Sequence, residues 1–256
     1  MPKSRRLFGA IVAGLALITM VGGPAEASHS WGGYHWARTA NPFTLQLGDN
    51  VSSIWDAYLV TTSSDWSASS VLNTTIVAGR GGNTRRCAAT SGRVEVCNTT
   101  YGDNGWLGIA QVWVSGSHIS QGVVKMNDTY FNTATYNTAA WRNFVMCQEV
   151  GHTLGLHHQD ENFDNANLGS CMDYTSNPST NQHPNSHDYE ELVSIYSHLD
   201  ATMTVGSAVA TAPAGSGNDA SEWGTAIRTS GDGRPSLYVR TLGNGRALFT
   251  FVTWAS

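Results

Sequence analysis

The chain has 256 residues, with 14 basic and 19 acidic side chains and a formal net charge of −5. No basic patch stands out, which makes nucleic acid and anionic membrane surfaces poor candidate partners. A chain of this length can bury a sizeable core as one domain, or as one domain with a small appendage.

Residues 1–27 read as a secretory signal peptide: a basic start at Lys3, Arg5 and Arg6, an uncharged apolar run from Leu7 to Val21, and the small-x-small pattern Ala25-Glu26-Ala27. Ser4-Arg5-Arg6-Leu7-Phe8 also fits a twin-arginine export signal, or an ordinary basic n-region. Cleavage after Ala27 removes Lys3, Arg5, Arg6 and Glu26, leaving 11 basic and 18 acidic side chains and a charge of −7. No other apolar run is long enough to cross a bilayer, so no membrane insertion is expected.

An aromatic lead-in, Trp31-Gly32-Gly33-Tyr34-His35-Trp36, precedes a strand at Pro42–Leu47. Ile54, Trp55, Tyr58 and Leu59 recur at helical spacing up to Trp66. Val71–Val77 reads as a second strand, and Arg80–Cys97, rich in Gly, Thr and Arg, as a loop or hairpin. Gly108–Val114 and Gln121–Asn127 are further strands. Asn137–Leu154 is a helix with Thr138 as its N-cap. Leu156–Pro184 is irregular, and Asp188–Leu199 is a third helix. Residues 204–221 are Ala-, Gly-, Ser- and Pro-rich and read as a linker. Residues 222–256 form a small β-rich tail, a hairpin turning at Asn244-Gly245. Four cysteines allow three pairings. Cys87 and Cys97 flank a hairpin-like stretch and are paired here, which leaves Cys147 with Cys171.

Residues 147–158, CQEVGHTLGLHH, carry the chemistry. Positions 148 and 152 are four apart, about 400° around and about 6 Å along a helix, so both side chains share one face. That is how one helix offers two ligands to one ion. Gly155 suits a left-handed helix end, after which the chain can return His158 as a third ligand. Catalytic zinc has three protein ligands and an open water position.

Glu149, His152, Gly155 and His158, followed by Cys171-Met172-Asp173-Tyr174, resemble the metzincin zinc proteases and their Met-turn. The likeness spans roughly residues 36–200, and matrixin-like bacterial members are the nearest in pattern. The resemblance implies an α/β (α+β) metzincin catalytic domain over residues 28–203, with a twisted mixed sheet, an active-site helix and a C-terminal helix. It implies a secreted, monomeric zinc endopeptidase that takes a protein or peptide substrate in extended form on the edge of the sheet that Ile109–Val114 and Gln121–Asn127 resemble. Carried over residue by residue, Glu149 is the general base, His152 and His158 are Zn2+ ligands, Met172 is the Met-turn base, and Tyr174 lies near the oxyanion.

The departure is Gln148, which stands where the family has its first histidine. Its amide oxygen could ligate zinc. His157, Asp160, His183 or His187 could replace it, although His157 reads first as a solvent-facing loop residue. Or the metal has been lost, and the chain is an inactive metzincin-fold binding protein with its aromatic tail as the binding surface.

Overall fold

The computed structural model describes Met1, residues 28–207 and residues 217–255. The signal peptide expected at 1–27, and the middle of the expected linker, lie outside the described residues.

The described elements are β1 (His35–Trp36), β2 (Phe43–Asn50), α1 (Asp56–Trp66), β3 (Leu72–Ala78), β4 (Val94–Thr99), β5 (Trp106–Ser115), β6 (His118–Asn127), α2 (Asp128–Phe131), α3 (Ala139–Thr153), α4 (Ser186–Ile195), β7 (Thr225–Thr229), β8 (Pro235–Gly243) and β9 (Arg246–Trp254). All the strands join one mixed sheet in the order β3-β2-β4-β6-β5-β9-β8-β7, with β1 alongside the start of β6. The β2–β3, β2–β4, β4–β6 and β1–β6 pairs are parallel, and the remaining four are antiparallel. The fold is therefore α+β, as expected.

Two expectations change. Within Arg80–Cys97, Val94 begins a true strand, β4, buried along nearly its whole length between β2 and β6. The tail has three strands rather than two, and its β9 pairs with β5 from Trp106 to Ser115. This pairing makes the tail an extension of the main sheet instead of an appendage. Two strands on their own are marginal, and pairing with β5 gives them a platform.

α3 packs on β5 and β6 and against α1. From Trp141 to Thr153 nearly every residue is buried, which marks a core helix rather than a surface one. Its last carbonyls need partners, and the aromatic lead-in supplies them. Trp31 Nε1 donates to His152 O at 3.0 Å and Trp36 Nε1 to Thr153 O at 2.8 Å. The Tyr196 hydroxyl donates to Leu154 O at 2.9 Å. An indole or phenol serves well here because it buries a large ring while its polar end satisfies the backbone.

The cysteines form the expected pairs, Cys87–Cys97 and Cys147–Cys171, which fits an oxidising compartment. Among the described residues no helix is long and apolar enough to cross a membrane.

Candidate metal and carboxylate site

Thr138 caps α3 as expected, its side chain accepting from Trp141 N. One helical turn near the other end carries Gln148, Glu149 and His152, all fully buried. The helix stops at Thr153, and Gly155 turns the chain with φ +104°. A Cβ at Gly155 would lie 2.5 Å from Tyr34 O, so both the dihedral and the close approach call for glycine. The turn brings Leu156 O to 2.9 Å from His152 Nδ1 and carries His158 back over the helix.

A carbonyl only accepts, so His152 Nδ1 holds the ring proton and Nε2 keeps its lone pair. His158 repeats the pattern: its Nδ1 lies 2.8 Å from Glu161 Oε1, a carboxylate that accepts. Glu161 is in turn fixed by Ser236 Oγ at 2.9 Å and Arg228 Nε at 2.9 Å. The two ε nitrogens converge to 3.0 Å. Burial holds both imidazoles well below the usual histidine range, with His158 a further cause for His152 and Arg228 for His158. Two neutral rings whose δ nitrogens donate and whose ε nitrogens lie 3.0 Å apart can offer two imidazole donors to one divalent cation. His152 and His158 therefore fit zinc.

Gln148 is turned elsewhere. Its Nε2 donates to Cys171 O at 2.9 Å, and its Oε1 accepts from the Thr253 hydroxyl. That same hydroxyl lies 2.7 Å from Glu149 Oε1. Burial pushes the Glu149 carboxyl up to about 8, against the lowering effect of Thr253 and of the Ala110 N–H. Gly108 on β5 makes room for this carboxyl, since a Cβ there would come within 2.7 Å of Glu149 Oε1.

Met172 is fully buried beneath the helix, its sulfur against Gly151. The Tyr174 ring lies 4.1 Å from the His158 ring. Its hydroxyl, however, donates to Val252 O at 2.9 Å and not into the space beside the histidines.

Val252 and Thr253 belong to β9, which covers the site. Gly108 pairs with Thr253, Ile109 with Val252 and Ala110 with Phe251. The Phe251 ring stacks on His152 with centroids 4.2 Å apart and planes 11° apart. Of the two strands expected in the substrate-binding part of the sheet, β5 is thus paired on both sides, with β6 and with the chain's own C-terminal strand β9.

Of the expected substitutes for Gln148, only His157 stays near: its ring centroid lies 4.9 Å from that of His158 and 6.4 Å from that of His152, and His157, His158 and Glu161 form a group that could hold a metal ion. The other three lie apart. His183 is exposed and bonded to Asp65 Oδ2 at 2.7 Å. His187 lies against His29. Asp160 Oδ1 accepts from Asn162 N at 2.7 Å within its own loop. His157 is buried, contrary to the solvent-facing expectation, because Leu156–His158 lie under β9. Its Nδ1 accepts from His158 N at 2.7 Å, and burial pushes its pKa down to about 2.

Sequence reasoning missed Thr253, Gly108 and Glu161, and placed Phe251 in an aromatic binding tail rather than over His152. Only Glu161, a carboxylate three residues past a candidate ligand, carried a local signal. Compared with known proteins, the chain matches no family model and no curated protein.

Proposed function

We propose that this chain is a secreted zinc-dependent peptidase of metzincin type, held closed by its own C-terminal strand. The observation that carries this reading is the convergence of His152 and His158 through their ε nitrogens beside the buried carboxyl of Glu149. His152 and His158 would hold the ion, and Gln148 Oε1 becomes available as a third donor once Thr253 withdraws. Zinc in such a site lowers the pKa of its bound water and polarises a carbonyl.

The chain's own residues supply the rest. Glu149, when ionised, takes a proton at its carboxylate and returns it to the leaving amine. Tyr174 gains a free hydroxyl when Val252 leaves. The β5 edge orders an extended peptide through the ladder β9 now uses. The two disulfides support secretion.

The test is peptide cleavage and zinc content in the mature full-length protein, before and after limited proteolysis of the tail. Zinc at the pair, and cleavage that Glu149→Gln abolishes, are expected. Cleavage undiminished in Glu149→Gln would sink the proposal.

One observation favours a second reading. Both ends of the Gln148 amide are satisfied in the closed form, as a residue that had left metal chemistry would be. An inactive binding protein of this kind takes up zinc at the pair only as Gln148→His.

A further inference from the structure

A second group of ligand-bearing side chains lies away from the buried site, where the two ends of the main domain meet. His35 sits in β1, beside His118 at the start of β6 in the parallel pairing. His198 and Asp200 follow α4. The chain brings all four together because Asp200 N donates to Arg38 O at 2.9 Å, just past β1.

We propose that His35, His198 and Asp200, with His118 beside the Asp200 carboxylate, form a second metal site, for zinc or a divalent cation of similar size, that ties the N-terminal strand to the segment after α4. This inference is independent of the peptidase reading.

The donor chemistry comes first. His35 Nδ1 lies 2.8 Å from Gly33 O and must donate to it, so its Nε2 presents a lone pair. That Nε2 is 3.2 Å from His198 Nε2 and 3.4 Å from Asp200 Oδ1. His118 Nε2 is 3.2 Å from the same carboxylate oxygen, and His198 Nε2 is 3.7 Å from it. Zinc–ligand bonds of about 2.0–2.2 Å at tetrahedral angles put ligand atoms roughly 3.3–3.5 Å apart. The three separations among His35, His198 and Asp200 fall around that edge length, and His118 approaches the group through Asp200 Oδ1.

The carboxylate is prepared for one bond only. Asp200 Oδ2 accepts from Arg38 Nη1 at 2.8 Å and from Arg38 N at 3.2 Å, which leaves Oδ1 to face the histidines. Outer partners of this kind orient metal ligands. The side chains of His35 and Asp200 are 6% and 9% exposed, whereas His118 and His198 are 30% and 53% exposed. Two ligands are thus anchored in the fold, and His198, with His118 next to Asp200, stands at the rim where an ion enters from solvent.

Three histidines around one carboxylate could instead be a proton-dependent ion-pair cluster, and the experiment separates the two. Untagged mature protein is stripped with chelator, titrated with zinc at neutral pH and compared with His118→Ala/His198→Ala. Both changes lie at exposed or half-exposed positions, so the fold is kept. The same pair of changes is also made in a His152→Ala/His158→Ala background, which removes the buried donor pair. The expected result is about one zinc per chain in that background, raising the Tm, and at least a tenfold weaker affinity with no zinc-dependent Tm rise once His118 and His198 are replaced. Should the background variant fail to fold, the same loss of one zinc per chain is expected from His118→Ala/His198→Ala in the otherwise native protein. Zinc content and zinc-dependent Tm unchanged by His118→Ala/His198→Ala would overturn the proposal, as would a histidine cluster that responds to pH alone.

Discussion

Phe251→Ala tests whether β9 is a separable cover or simply core. The ring is fully buried, stacked on His152, and edge-on to Trp31 with centroids 5.2 Å apart. Removing such a ring costs about 3–5 kcal/mol. If β9 lifts as a unit, that loss falls on the closed state alone, and the open population rises by roughly a hundred- to several-thousand-fold at about 1.4 kcal/mol per factor of ten. Native-state hydrogen exchange reads this directly. Amides linking β5 to β9 should speed up by that factor, while amides linking β4 to β6 keep their protection. Peptide cleavage by the zinc-loaded protein should rise in parallel. If the β5–β9 and β4–β6 amides accelerate together, closure is inseparable from global folding and the latch reasoning is wrong.

Thr253→Val leaves two buried oxygens, on Gln148 and Glu149, without their shared hydroxyl. A loss of about 1–3 kcal/mol in urea unfolding is expected, and an unchanged midpoint would deny the network any weight. Lys125 is fully buried with Nζ 2.8 Å from Asn218 Oδ1, and burial lowers its pKa from 10.5 to about 7. Between those values the unfolded chain binds more protons than the folded one, so stability rises with pH there, by up to about 1.4 kcal/mol per pH unit. Urea unfolding at pH 8 and 9.5 should show that slope in the native protein and lose it in Lys125→Met; equal slopes would refute the burial argument. Replacing Cys147 and Cys171 together by serine opens a loop spanning 24 positions, for an expected loss of about 3 kcal/mol on chain-entropy grounds. Denaturant titration checks that value, and a stability equal to the native protein's would exclude it.

The local features were legible from sequence because their causes are local. Thr138 caps, the four-residue spacing aligns Gln148 with His152, and Gly155 ends the helix through its positive φ. β4 was hidden because Gly-, Arg- and Thr-rich residues precede it, and because Glu95 and Asn98 look like surface residues. In the fold they are buried: Glu95 accepts from Arg93 and Thr90, and Asn98 bonds Ser52 and Asp128. β7 was missed for the opposite reason, since all five of its residues are exposed and no apolar alternation marks it. The cover over the site was illegible because Thr253 meets Glu149 across 104 residues of sequence. The histidine and aspartate cluster was illegible likewise, its four members being drawn from β1, β6 and the segment after α4.

The protons around Thr253 connect the closed form to the peptidase chemistry proposed for this site. A hydroxyl has one proton to give and lone pairs to accept with. If Thr253 gives that proton to Gln148 Oε1, then Glu149, 2.7 Å away, can bond to it only by donating a proton of its own. A carboxyl pushed up to about 8 by burial holds that proton at neutral pH. The closed arrangement is therefore self-consistent with Glu149 neutral and the Gln148 oxygen engaged. Both conditions are opposite to what a general base and a metal ligand require. Withdrawing β9 removes the hydroxyl, frees the Gln148 oxygen and admits water to Glu149, which restores the ordinary carboxylate preference for ionisation. One strand thereby sets ligand availability, base ionisation and access to the β5 edge together, so on the peptidase reading the chain is either closed and inert or open in all three respects.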